Sequence, residues 1–202
     1  MKKKFTFVVL ISGSGTNLQA LIDATFKGTI EGELSHVISN NPDAYGLVRA
    51  KNAAIPYSVV DNNDFDTRED FDLALIKVID KINPNLIVLA GFMRILSPIF
   101  IRKFKSQIIN IHPSLLPKYP GLKTHQKVID NKDKKHGVTI HFVDESLDGG
   151  PICAQSIMDV TTQNVEILEE QIHNLEHALY PVVVSNFSKG LLSLKNGKVI
   201  IQ

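Results

Sequence analysis

Apolar runs at residues 5–11 and 86–90 constrain this chain more than any other feature. A strand with one wet face alternates polar and apolar residues, whereas a run apolar on both faces is buried on both. The spacing predicts a third buried strand over 106–111 and helices between the strands. Residues 16–26 place Leu18, Leu21 and Ile22 on one helical face. Asp66, three residues before Glu69, reads as a cap opening a long helix. Phe71, Leu75, Val78, Ile79 and Ile82 form its stripe, and Pro84 stops it. Short strands at 34–39 and 57–60 flank a helix near 44–51, and Ser97-Pro98 has the pattern of a helix start. The fold class is therefore α/β, with a Rossmann-like, mostly parallel sheet covered by helices on both faces.

The second half changes character. Residues 137–143 alternate, and 152–158 follow a tight turn, which predicts antiparallel strands at one edge of the sheet. A helix is expected over 164–187, with Pro181 bending or dividing it. Segments 191–194 and 198–201, joined through Asn196-Gly197, read as a hairpin. With no repeat or linker, 1–202 is expected to be one domain.

The charge balance, 22 Lys and Arg against 21 Asp and Glu, supplies no basic field for nucleic acid. Lys2, Lys3 and Lys4 precede a seven-residue apolar run that ends at Ser12-Gly13-Ser14-Gly15 without a cleavage site. That favours a first strand over a signal peptide, and a cytoplasmic protein without a membrane partner. Cys153 is the single cysteine, so an internal disulfide and a cysteine zinc cluster are excluded.

Four constellations carry chemistry. Gly13-Ser14-Gly15-Thr16-Asn17 joins the first strand to the first helix, where backbone N–H groups can cradle a phosphate. A dinucleotide fingerprint is disfavoured, because Leu18 holds the third glycine position and the second strand ends in Asn40-Asn41. There is no Gly-Lys-Ser or Gly-Lys-Thr, so a small monophosphate ligand fits better. Gly91-Phe92-Met93-Arg94-Ile95-Leu96 leaves the central strand and suits a flat, partly apolar ligand around one arginine.

Asn110 and His112 lie two residues apart on the third buried strand, so both side chains share a face. An amide and an imidazole side by side can hold one carbonyl oxygen. Asp148-Gly149-Gly150-Pro151 is first a turn. Folded over His112, Asp148 would favour the imidazolium. No Ser, Cys or Thr is marked as a covalent nucleophile, so direct attack by a substrate amine on an acyl donor is expected. His173 with Glu176, or His173 with His177, can line one helix face, but no third ligand accompanies either pair, and no metal is expected.

These motifs, with His112-Pro113-Ser114-Leu115-Leu116-Pro117 and Glu176-His177-Ala178, follow one another along the chain and carry a resemblance that covers almost all of it. The chain resembles the single-domain, folate-dependent phosphoribosylglycinamide formyltransferases of de novo purine synthesis. The resemblance implies the formyltransferase fold and transfer of formyl from 10-formyltetrahydrofolate to the glycinamide amine. It implies two small-molecule substrates, no nucleic acid, and a monomer or homodimer. Asn110, His112 and Asp148 would be catalytic, with His112 the general acid and Asp148 raising its pKa. Gly15, Thr16 and Asn17 would hold the phosphoribosyl end. Glu176 would meet the glycinamide, together with His173, which stands where bacterial relatives carry glutamine. Arg68, Met93, Arg94, Ile95, Leu96 and Asn110 would bind the folate, with Val143, Asp144, Glu145, Ser146 and Leu147 bracketing its pterin.

Formyltetrahydrofolate deformylase and the formyltransferases of methionyl-tRNA and nucleotide sugars share the Asn-x-His and distant Asp. The additional N-terminal domain of the deformylase and the additional C-terminal domain of the tRNA enzyme are not expected here, and neither enzyme has a clear use for the loop at Gly13. A non-catalytic folate- or nucleotide-binding protein is the other alternative.

Overall fold

Five parallel strands make the first part of the sheet: β1 (Thr6–Ile11), β2 (Glu33–Ser39), β3 (Tyr57–Val59), β4 (Leu86–Leu89) and β5 (Ile108–His112). Two antiparallel strands, β6 (Lys135–Phe142) and β7 (Ile152–Asp159), extend it past β5. The order is β3-β2-β1-β4-β5-β6-β7. The computed structural model describes residues 4–202; Lys2 and Lys3 of the amino-terminal lysine run lie outside the described residues. The expected α/β sheet with an antiparallel edge is thus the observed one.

Alternation along β1 explains the two layers. Phe7, Val9 and Ile11 enter one core with residues of α1 (Thr16–Phe26), α2 (Tyr45–Asn52) and α6 (Val165–Ser188). Val8 and Leu10 enter the other, with α3 (Arg68–Ile82) and α4 (Pro98–Lys103). All five side chains are fully buried, each worth roughly 1.5–3 kcal/mol of transfer free energy. On β5 the same alternation sends Ile109 and Ile111 into the first core. Asn110 and His112 therefore face the opposite side.

Several boundaries differ from the sequence expectation. The α3 cap is Thr67, whose hydroxyl accepts from the Asp70 N–H, and not Asp66. Pro181 does not divide α6, which runs through it from Val165 to Ser188. Tyr180, Val183 and Val184 are buried around the proline, and that packing offsets the missing backbone bond. A short helix, α5 (Thr124–Asp130), lies where no element was expected. The terminal hairpin forms from β8 (Leu192–Lys195) and β9 (Lys198–Ile201).

Candidate active site

The strand order reverses between β1 and β4, and ligands in open α/β sheets sit beyond the strand ends at such a point. Two loops flank this crevice. The first, after β1, turns through Gly15 with φ at 69° and starts α1 without a side-chain cap. A Cβ on Gly15 would lie 2.7 Å from the Gly46 Cα, so α1 and α2 meet there glycine against glycine. Uncapped first-turn N–H groups are donors available to an anion. Arg49 braces the loop, its Nε donating to the Ser14 carbonyl at 2.9 Å.

The second loop follows β4. Its Met93 N–H donates to Ser12 Oγ at 2.7 Å, tying it to the first. Met93 and Ile95 are 68% and 65% exposed, whereas Leu96 is buried, so the tetrad presents two apolar side chains and packs the third. The Arg94 guanidinium lies over the Phe71 ring at 5.9 Å. Arg68 opens α3 one turn before Phe71 and pairs with Glu69 at 3.4 Å. The far end of the loop is held by buried Asp72, which accepts from the Ser97 N–H.

Beside this crevice stand Asn110 and His112. His112 Nε2 donates to the Tyr119 carbonyl at 2.8 Å, and Nδ1 faces Asp148 Oδ2 at 3.4 Å. Both ring nitrogens thus face acceptors, which fix the orientation of the ring. Asp148 Oδ2 also accepts from the Gly121 N–H at 2.8 Å, which fixes the carboxylate. Asp148 has φ at 50°, a left-handed turn conformation that Asp tolerates better than most residues. The turn is tight because a Cβ on Gly150 would collide with the Phe142 carbonyl. His141 joins the group, 3.3 Å from Asn110 Nδ2 and 3.8 Å from Asp148 Oδ1.

The loop at Val143, Asp144, Glu145, Ser146 and Leu147 leads into this turn. Asp144 accepts from the Ser146 N–H at 2.9 Å, and Glu145 pairs with Arg102 at 2.8 Å. Leu147 is exposed beside the backbone of Gly121. On the other side of the sheet, Glu176 is 4% exposed and accepts from Asn17 Nδ2 at 2.8 Å. Burial is the chief cause that raises the Glu176 carboxyl above its ordinary value. The His173 and His177 rings stack 6.1 Å apart one turn along α6. Among the described residues, no cluster of three or more His, Cys, Asp or Glu is arranged to hold a metal ion.

Residues 5–184 match the formyl transferase family. The chain belongs to that family. Among curated formyl transferases, it is 47% identical to the phosphoribosylglycinamide formyltransferase of Escherichia coli, covering 93% of this chain and 89% of the relative. The Haemophilus influenzae enzyme of the same name is 46% identical, over 97% and 92%. A solved phosphoribosylglycinamide formyltransferase from Coxiella burnetii superposes with a TM-score of 0.94 at 46% identity, covering 98% and 94% of the two chains.

Within this formyl transferase, the structure gathers Asn110, His112 and Asp148 into one cluster. It sets Gly15, Thr16 and Asn17 at the start of α1, with Asn17 bonded to Glu176. The sequence pattern gives His141 no role and does not reveal its place against Asn110. The antiparallel register that pairs these two residues is the signal that places it. The Tyr119 carbonyl, the Gly121 N–H and the Ser12–Met93 contact are backbone groups in part, and no residue type announces them.

Proposed function

We propose that this chain transfers the formyl group of 10-formyltetrahydrofolate to the amine of phosphoribosylglycinamide, giving the N-formyl ribonucleotide and tetrahydrofolate in purine biosynthesis. The observation that carries the reading is the contact of Asn110, His112, Asp148 and His141 beside a crevice whose other wall is a phosphate-type loop. The names of the relatives, at 46–47% identity over nearly the whole chain, support the same reaction.

In this account the first-turn N–H groups of α1, around Gly15, Thr16 and Asn17, hold the phosphate. Glu176, with His173 beside it, receives the glycinamide. Met93 and Ile95 form an apolar wall for the flat folate, with Leu96 packed in the core behind them, and Arg68 and Arg94 supply cations for its carboxylates. Residues Val143, Asp144, Glu145, Ser146 and Leu147 close over the pterin with backbone groups.

The amine attacks the formyl carbon directly. Asn110 and His112 stabilise the oxyanion that develops on the formyl oxygen, and one good donor there contributes roughly 3–4 kcal/mol. His112, fixed by Asp148, supplies the proton that the folate nitrogen takes as its bond to the formyl carbon breaks, and the proton shed by the attacking amine restores His112. Cys153 does not compete as a nucleophile, because burial pushes its thiol up to about 12.

A donor carrying a ¹³C-formyl group tests the reading. Incubation with the ribonucleotide is expected to give a labelled N-formyl ribonucleotide by mass spectrometry. Label released as formate instead would identify a hydrolase, and unchanged donor would identify a binding protein.

A further inference from the structure

The Asn110 amide is useful to a developing oxyanion only if it turns an N–H toward it, because its carbonyl oxygen would repel the charge. An asparagine amide is nearly symmetric in shape, so packing alone does not choose between the two orientations. Something chemical has to choose.

The chooser is visible in the hydrogen bonds of His141. This ring is 2% exposed, on β6 directly opposite Asn110 in the antiparallel register. Its Nδ1 lies 2.8 Å from the Phe142 carbonyl, which only accepts, so Nδ1 carries the hydrogen. Burial, the largest influence on this ring, lowers its basicity and keeps it neutral, against weaker opposite pulls from the Phe142 carbonyl and Asp148. Nε2 is then a bare lone pair. At 3.3 Å from Asn110, that lone pair accepts from Nδ2 and repels Oδ1. The orientation follows from the Phe142 carbonyl by elimination.

We propose that His141 is a positioning residue for formyl transfer: its Nε2 lone pair holds the NH₂ group of Asn110 on its own side and so fixes which edge of the amide carries the donors. One N–H is bound by His141, and the second is offered to the reacting formyl oxygen. The backbone of Phe142, remote from the reacting atoms, thereby sets the polarity of a catalytic side chain through one imidazole. The inference rests on the formyl-transfer reading and adds to it a residue acting through Asn110.

The test is a double-mutant cycle. His141→Phe removes the acceptor while keeping a planar ring, and His141→Gln offers Oε1 as a substitute acceptor. His141→Phe is expected to lower kcat roughly 5- to 10-fold, the size of one neutral hydrogen bond, with KM for both substrates nearly unchanged. His141→Gln should recover part of the loss. In an Asn110→Ala background, His141→Phe should cost nothing further, because no amide is left to orient. Equal losses from His141→Phe in both backgrounds would assign the residue a purely structural role and overturn the proposal. So would a variant as fast as the wild type. A readout free of turnover is the ¹⁵N spectrum of the His141 ring, expected to show a neutral imidazole protonated at Nδ1; protonation at Nε2 overturns the proposal. A wild-type protein that formylates no ribonucleotide overturns the functional reading itself, an outcome distinct from an active wild type matched by His141→Phe.

Discussion

Asp148 Oδ2 stands 3.4 Å from His112 Nδ1 and accepts from the Gly121 N–H at 2.8 Å, so the carboxylate that faces the imidazole is itself fastened to a neighbouring loop. A carboxylate held in this way orients the ring without having to move. Asp148→Asn keeps the shape and an acceptor for Gly121 but removes the charge. The expected result is a loss in kcat of about 10²-fold or more, with folate affinity little changed. Steady-state kinetics and a folate-analogue titration on the same sample check both halves.

Gly15 answers two demands at once, a φ of 69° and the close approach of Gly46. Gly15→Ala strains the backbone and pushes α1 from α2. Stability should fall by roughly 1–3 kcal/mol in chemical denaturation. The KM for the ribonucleotide should rise more than that for the folate, because the displaced loop is the phosphate side of the crevice. A larger effect on the folate KM would contradict that assignment.

These expectations show how unevenly the sequence exposes its structure. The strands were legible because β1 and β4 are buried on both faces and have no polar alternation to obscure them. The shared face of Asn110 and His112 was legible for the same reason, since period two is fixed by geometry. Thr67 was missed as the cap because Asp66-x-x-Glu69 and Thr67-x-x-Asp70 are offset by only one residue, and only the backbone turn selects between them. Pro181 reads locally as a break, but the packing of Tyr180 and Val184 is tertiary and outweighs it. The approach of Asp148 to His112 reached the sequence reading through family resemblance, because a turn residue carries no mark of what it folds over. His141 stayed hidden because the register between β5 and β6 is set across a long connection.

Asp72 offers a pH test. Burial is the main cause holding its carboxyl above the ordinary 3.8, with the Ser97 hydrogen bonds and Arg68 pulling the other way. The folded state therefore binds this proton more tightly than the unfolded state does. The stability it contributes is fully present below about 3.8 and is lost as pH rises through the raised value. Asp72→Asn removes this titration while leaving an acceptor for Ser97. The Tm of the variant minus that of the wild type should climb with pH across that window and then level off. A difference that falls with rising pH would contradict the account.

Cys153 is 7% exposed, and its thiol is pushed up to about 12 by burial. Since the thiolate is the reactive form, the native protein should resist alkylation at pH 8 and react fully in denaturant. Rapid labelling of the native protein with retained activity would show that the strand region around Cys153 opens readily.

The most direct measurement is absorbance-monitored consumption of a 10-formylfolate donor by the wild type and by His112→Ala, each with and without phosphoribosylglycinamide. The account predicts wild-type turnover that requires the ribonucleotide and matches it mole for mole, and a rate that collapses in His112→Ala. Donor consumption at the same rate without the ribonucleotide, or an undiminished rate in His112→Ala, would contradict it.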